Sequence, residues 1–396
     1  MSRRTAMGAL ALCLAACGDP AADLNAPVFT AGAPSRAIGG SPYTVVMIGL
    51  DNPRGLSFGP DGALYVAEAG RGNTNAEGVT DPTAPCYLIL GASVCYGATG
   101  AVSRLLDGAQ ERIITGLPSA TSRIGRSEGP NSVAVVGQRH MYIAIGLEAN
   151  PDVRVPGVLE GFGQLVGVSP SALGPDKGTP HAESWTYVTD ISAFEVANNP
   201  DCGEIDSNPF SLLSDDGGLL IADAGGNAVL RRDPNGKLSI FATFASSHTT
   251  TLHDGCPVPD GYPAVQPEDM VPTSIVRGPD GAYYVSQLAG FPLVPGAASV
   301  WRVEPGSAPT VFRSGFTFMV SVAFDGAGNM YVLQNMGGPL DPGGALIRVS
   351  PDGLTRTRIL TGLTSPTSVV VGPDGGIYVT NNGNKIGTGQ VLRIAP

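Results

Sequence analysis

The sequence predicts an all-β fold, a six-bladed β-propeller whose N-terminal strand closes the last blade. Three observations carry that expectation. One hairpin motif returns six times, a strand with a hydrophobic-x-Arg-hydrophobic pattern follows most of its copies, and the chain ends one strand short while a spare strand precedes the first copy. The clearest copy is GLDNPRGLSFGPDGALYVAEAG at 49–70. It returns as VPTSIVRGPDGAYYVSQLAG at 271–290, FMVSVAFDGAGNMYVLQNMG at 318–337 and SPTSVVVGPDGGIYVTNNG at 365–383. Weaker copies are GPNSVAVVGQRHMYIAIG at 129–146 and SNPFSLLSDDGGLLIADAG at 207–225. In each, two apolar runs of strand length flank a turn in which Gly or Asp permits the reversal.

The third strands read SRLL at 103–106, LRRD at 230–233, WRVE at 301–304, IRVS at 347–350 and LRIA at 392–395. Fourth strands read ERIITGL at 111–117, KLSIFATF at 237–244 and TRTRILTG at 355–362. Four antiparallel strands repeated six times describe a radial arrangement of blades. The last unit stops after three strands, and YTVVMIGL at 43–50 has the fourth-strand pattern. Pairing the two removes the open edges that an unclosed ring would expose. The first strands carry Gly55, Ser132, Ser211, Ser274, Ser321 and Ser368 at equivalent places. Small residues there relieve crowding where six strands converge, a structural role in preference to a catalytic serine.

Every long insertion falls in the connections on one face: 70–99, 147–160, 190–207, 245–270, 288–297 and 336–343. Long loops on a rigid scaffold carry function, so this face is the expected working surface. DISAFEVANN at 190–199 reads as a short helix capped by Asp190. Two polar columns point to the same face. Asn52, Arg54, Asn131, Asn208, Thr273 and Thr367 lie at the starts of first strands, and Glu68, Asp223, Gln287, Gln334 and Asn381 at the ends of second strands. Of these, Asn52, Arg54, Glu68, Asn131, Asn208, Asp223, Thr273, Gln287 and Asn381 are the expected ligand-binding residues of a channel mouth. Glu128, Asp206, Asn208 and Asp269 are the oxygen donors that a calcium ion would need there. The competing reading is that these groups cap loops and bond backbone amides.

The arginines Arg104, Arg231, Arg302, Arg348 and Arg393 recur once per blade, which predicts repeated inter-blade pairing in preference to an anion site. His140, His181, His248 and His253 are scattered; His253 beside Asp254 reads as an acid/base pair or as a loop histidine that only hydrogen-bonds. There is no Gly-x-Ser-x-Gly elbow and no dinucleotide-binding glycine pattern.

The 396 residues are 42% hydrophobic and 14% charged, with a formal net charge of −11. The apolar fraction supports a sizeable core, and the acidic balance leaves no basic surface for nucleic acid. Arg3 and Arg4 precede a short apolar run, Ala6–Ala16, that ends in Leu14-Ala15-Ala16-Cys17. The order resembles a bacterial lipobox, so residues 1–16 are expected to leave as a signal peptide, with Cys17 lipidated and 17–42 a flexible tether. An ordinary secretory peptide with an unrelated Cys is the alternative. A lipid would hold the folded part, 43–396, as a monomer at the cell envelope, periplasmic or surface-exposed, without spanning a bilayer. Four cysteines remain, Cys86, Cys95, Cys202 and Cys256. An even number in an exported chain predicts disulfides; Cys86 with Cys95 closes a short loop and leaves Cys202 with Cys256. A zinc site is the competing reading, though the spacings lack a Cys-x-x-Cys element.

The runs NPRGLSFGPDGALYVAEAG, PCY…CYGATGAVSRL, FEVANNPD…DSNPF, ADAGGNAVLRRDPNG and VPTS…GPDGAYYVSQLAGFP together resemble the ScyD/ScyE family. That family takes its name from genes of the cluster for scytonemin, an indole-phenol sunscreen pigment. The resemblance covers about 43–396. It implies an exported propeller related to the NHL and gluconolactonase-like superfamily, and no catalytic residue comes with it. What it carries over is motif positions: Asn52, Pro53, Arg54 and Gly55; Asp206, Ser207, Asn208 and Pro209; Asp223, Gly225, Gly226 and Asn227; and Gln287, Gly290, Phe291 and Pro292. Three functions stand as expectations. One is a binding or accessory module for a small molecule or an envelope protein at the loop-rich face. Another is a calcium-dependent hydrolase of the lactonase type. The third is a sugar-type quinoprotein oxidoreductase, which would need an apolar stacking pocket and a catalytic base in a chain with two Trp.

Overall fold

A computed structural model describes residues 42–75, 79–89, 92–122, 126–137, 140–168, 185–244, 270–290, 294–337 and 343–396. Its strands form six sheets around one axis. Blade three is the simplest: Pro209–Asp215, Gly218–Asp223, Ala228–Arg232 and Leu238–Thr243 pair in sequence order. Blades two, four and five begin with the inner strands Pro130–Val136, Pro272–Arg277 and Met319–Phe324, and each has four strands. Blade six runs outward through Val369–Val371, Ile377–Asn381 and Gly389–Ile394, and Thr44–Leu50 completes it. The N-terminal strand therefore closes the ring, with Thr44 opposite Arg393 and Leu50 opposite Gly389. The inner strands touch in order, and Val369–Val371 returns to Pro53–Phe58 of blade one.

Period-2 alternation explains why blade strands read as continuous apolar runs. Each blade is covered on both sides, so successive side chains enter opposite interfaces. In Leu64–Glu68 all five residues are buried. Tyr65 and Ala67 pack toward blade two, Leu64 and Val66 toward blade six. The described residues form six apolar clusters, one in each interface between neighbouring blades.

The small-residue column does more than relieve crowding. The Ser132 Oγ accepts from the Leu212 N–H at 3.1 Å, Ser211 from Ile275 at 3.4 Å and Ser274 from Val322 at 3.5 Å. Ser321 accepts from Val369 at 3.2 Å and Ser368 from Leu56 at 3.1 Å. Each hydroxyl satisfies an edge amide that would otherwise face the axis, and it stitches one blade to the next. At the sixth place, a Cβ on Gly55 would stand 2.8 Å from the Asn131 carbonyl oxygen and 2.9 Å from the Ser132 Cα. Only glycine permits blades one and two to approach so closely.

The arginine column departs from expectation, because its pairs form within blades. Arg302 binds Asp280 at 2.8 Å, Arg231 binds Asp215 at 3.0 Å and Arg393 binds Asp374 at 2.6 Å. Arg104 pairs with Glu111 of its own blade. Asp280 and Asp374 belong to the Pro-Asp-Gly turns and also accept from Tyr284 and Tyr378. Register decides this: Tyr284 lies directly opposite Arg302, and Tyr378 opposite Arg393.

Blade one is enlarged. Its third strand spans Ala92–Leu106 and its fourth Ala109–Ser122, and Cys86–Ile89 folds back on the third. Cys86 faces Cys95 across that hairpin, and the two form a disulfide. Cys202 is also disulfide-bonded. Cys256, its expected partner, lies outside the described residues, as do Cys17 and the whole of 1–41. The expected helix is present at Ile191–Asn198, and the Asp190 carboxylate caps it by accepting from the Ala193 N–H at 2.8 Å.

Candidate functional site

The six inner strands enclose an axial cavity of about 340 Å³. Arg54, Asn131, Thr273 and Thr367 line its wall at the end that carries the long loops. Leu56, Leu212, Ile275 and Val369 line it further in, at the level of the serines, and Phe58 and Phe324 flank the far end. The volume falls in the range of small-molecule pockets. Polar groups run the length of the wall, from Arg54, Asn131, Thr273 and Thr367 at the mouth through the serines to Arg277 at the far end.

The four polar residues at the mouth also tie blades together. Asn131 donates to the Asn208 Oδ1 at 3.0 Å. The Thr273 hydroxyl donates to the Met319 carbonyl at 3.3 Å, and that of Thr367 to the Pro53 carbonyl at 2.8 Å. Arg54 spans two interfaces, donating to the carbonyls of Gly383 and Ser127, each at 2.9 Å. It also reaches Asn384 Oδ1 and Ser127 Oγ, so its four hydrogen bonds among the described residues all go to neutral acceptors.

Glu128 stands next to this arginine and is buried. Burial is the largest influence on its carboxyl, and the neighbouring Glu148 adds repulsion and a hydrogen bond. Arg54 and Arg126 oppose these effects, and the net result holds the Glu128 pKa well above the ordinary glutamate range. Arg126 bridges the two acids, with its Nε 3.2 Å from Glu148 and 3.9 Å from Glu128. Glu148 is held in the left-handed region at φ 54° in the connection after the second strand of blade two. The hydrogen bonds of Arg54 leave its charge at the mouth without a hydrogen-bonded anion among the described residues.

The raised pKa has a definite sign in stability. An unfolded glutamate releases its proton near pH 4.3, whereas folded Glu128 retains it to higher pH. Its favourable contribution is thus fully present below about pH 4.3 and is lost as the pH rises through the folded value. Glu128→Gln, permanently neutral, is expected to gain stability relative to wild type as pH is raised from 4 to 8. Urea midpoints at several pH values measure that difference, and a pH-independent difference would refute the assignment.

The second polar column does not face the cavity. Glu68 is buried inside blade one, bonded to Ser103 at 2.6 Å and Arg112 at 2.5 Å. It also accepts from the Asp51 N–H at 2.7 Å. Asp223 accepts from the Asn208 N–H at 2.5 Å, Gln334 from Thr317 at 3.4 Å and Asn381 from Thr364 at 2.8 Å. Gln287 accepts from the Trp301 indole at 3.0 Å. Four members of the column thus clamp the chain entering their own blade, which corrects the expectation that Glu68, Asp223, Gln287 and Asn381 line the mouth. Asn52 is likewise buried off the cavity and donates to the Gly70 carbonyl at 2.7 Å.

The expected calcium ligands do not assemble. Glu128 faces Glu148 and two arginines, Asn208 receives the Asn131 amide, and Asp206 packs on Gly225. Asp269 lies outside the described residues. Among the described residues no three His, Cys, Asp or Glu side chains are placed to hold a metal ion. His140 is exposed and begins the second strand of blade two, at the opposite end of the blade from the mouth; His181, His248 and His253 lie outside the described residues. Glu148 was not legible as a site residue. Only its place at the start of an insertion on the working face marked it.

No known family profile matches this chain, and no curated protein matches it either. Solved structures do. A putative oxidoreductase (glucose dehydrogenase) from Thermus thermophilus is 18% identical, with a TM-score of 0.53 over 89% of this chain and 99% of that one. The soluble aldose sugar dehydrogenase of Escherichia coli, in its apo-form, is 13% identical, with a TM-score of 0.52 over 89% and 99%. A putative gluconolactonase is 14% identical, with a TM-score of 0.48 over 90% and 92%. What is shared is the propeller fold. At these identities the likeness carries no chemistry from one chain to the other.

Proposed function

We propose that this protein is an envelope-tethered binding module, akin to the ScyD/ScyE propellers, that takes a small molecule into its axial channel from the loop-rich face. The observation that carries the reading is the pairing of a 340 Å³ cavity with an arginine at its mouth whose hydrogen bonds, among the described residues, all go to neutral groups. A ligand with a carboxylate or similarly electron-rich head would meet Arg54, and its apolar body would lie against Leu212, Ile275 and Val369. The lipobox at Cys17 supports the tether, since a lipid at the end of a flexible segment holds the ring at a membrane surface without inserting it.

Calorimetry with a panel of aromatic and aliphatic carboxylates and lactones tests the reading. At least one is expected to bind wild type, and Ala323→Leu, which fills the channel wall without touching the polar mouth, is expected to weaken it by tenfold or more. Ala323 lines the cavity and is buried, so its enlargement is felt there. Equal binding by the variant, or silence across the panel, would overturn the proposal. The Glu128–Glu148 pair supports a second reading, lactone hydrolysis, because a carboxyl whose pKa burial and a neighbouring acid raise well above the ordinary glutamate range can serve as a general acid. Turnover in a lactone and ester screen, with and without calcium, that disappears in Glu128→Gln would favour this second reading.

A further inference from the structure

Away from the channel, the helix Ile191–Asn198 packs on the third strand of blade two, Gln164–Val168, and its buried face brings Glu195 to the Asp223–Asn227 turn of blade three. Glu195 lies on that face and is only 2% exposed. Its Oε1 has no hydrogen-bond donor among the described residues, although a buried carboxylate oxygen ordinarily has one or more. One helical turn later, on the same side, the buried Oδ1 of Asn199 also lacks a donor among them. The Asn199 amide is not simply reversed, because its Nδ2 donates to the Gly203 carbonyl at 3.0 Å. The Glu195 Oε2 rests on Gly226, 2.5 Å from where a Cβ would stand. The Asp206 carboxylate packs on the adjacent Gly225, and the Asp206 carbonyl lies 3.7 Å from the Cβ position of Gly226. The two glycines thus admit two carboxylates side by side where larger residues would exclude them.

Among the described residues, the charges that act on Glu195 are those of Asp223, Asp201 and Asp206, all negative. Burial first, and then these three, push its carboxyl up to about 9 if nothing else is bound. Asp201 and Asp223 are partly neutralised by hydrogen bonds from Asn227 and Gly203, and from Ser207 and the Asn208 N–H. Glu195 has no such help at Oε1. Two acceptor oxygens without donors, beside acids and without a basic partner among the described residues, call for a positive charge.

We propose that a hard divalent cation, calcium by the chemistry of the donors, binds between this helix and the Asp223–Asn227 turn, held by Glu195, the Asn199 amide oxygen and Asp206. The donors are all oxygen, and carboxylate, amide and carbonyl oxygens in an irregular loop setting are what calcium accepts. Two carboxylates with neutral oxygens make up the set, in keeping with the lack of three converging acidic side chains among the described residues. The ion clasps the helix to blade three on the loop-bearing face. It is separate from the channel ligand, and neither proposal requires the other.

The experiment uses the full chain freed of metal with a chelator and titrated with calcium by calorimetry, alongside thermal melts. Wild type is expected to bind one ion, with a Tm rise of roughly 4 °C once free calcium exceeds its Kd about a hundredfold. Glu195→Gln is expected to lose at least 90% of the binding heat and the Tm response. Without calcium this variant is expected to melt no lower than wild type, because it removes a buried group in conflict with its neighbours; an unchanged near-UV circular dichroism spectrum confirms that it is folded. Wild type with no calcium heat shows that a proton alone satisfies Glu195, and the proposal falls. It also falls if Glu195→Gln binds calcium as wild type does, which places the ion elsewhere.

Discussion

Deletion of residues 1–50 is expected to abolish cooperative folding, whereas deletion of 1–41 is expected to leave the melt unchanged. The difference is one strand, Thr44–Leu50. It supplies Met47 and Leu50, which are buried in the interface between blades six and one. Burying two such side chains contributes about 3–6 kcal/mol. The backbone ladder with Gly389–Ile394 adds about 1 kcal/mol per hydrogen bond. On the outer edge, Gln110 bonds both the N–H and the carbonyl of Ile48, at 3.0 and 2.8 Å, which links the strand to blade one. The sum rivals the roughly 5–15 kcal/mol that separates most folded chains from unfolded ones. Loss of the strand also opens the edge of Gly389–Ile394 to other chains. Circular dichroism melts with light scattering read the outcome. A cooperative transition within a few degrees of wild type would show that the ring does not depend on this closure.

Glu68→Ala is expected to destabilise the protein by about 3–5 kcal/mol, the range for breaking a buried ion pair by removing one partner. Glu68 is fully buried, and Arg112 binds it through Nε at 3.0 Å and a terminal nitrogen at 2.5 Å. Asp51 shares Arg112 at 3.1 Å and takes Arg71 at 2.7 Å. Removal of the glutamate leaves Arg112 under-paired and the Ser103 hydroxyl and Asp51 N–H without their acceptor. Glu68→Gln is expected to cost less, since it keeps the shape and one acceptor. Urea unfolding of the two variants separates this structural role from a ligand-binding one. If Glu68→Ala lost affinity for a channel ligand at unchanged stability, the residue would belong to the mouth after all.

The second polar column shows why composition at a strand end did not disclose direction. Glu68, Asp223, Gln334 and Asn381 occupy equivalent places, yet each turns back to accept an amide from the chain entering its own blade. In a linear sequence, a carboxylate aimed at a channel and one aimed at a backbone amide are the same letter. The arginine column misled in a similar way. Its period was visible, but whether Arg302 reaches across to the next blade or back to Asp280 depends on register with Tyr284. Glu195 carried no mark in the sequence, because its importance lies in the lack of a donor to its Oε1 among the described residues.

Periodicity by itself determined the six blades, their strand order, the closing N-terminal strand and the loop-bearing face, and cysteine spacing the Cys86–Cys95 bridge. These are properties of local pattern and repetition, and a repeat states its own geometry each time it recurs. Tertiary structure alone decided which polar groups meet the cavity and which are consumed inside a blade. That outcome rests on side-chain direction, on burial and on contacts between residues such as Arg54 and Gly383 that stand at opposite ends of the chain. Such contacts arise only when the ring is closed.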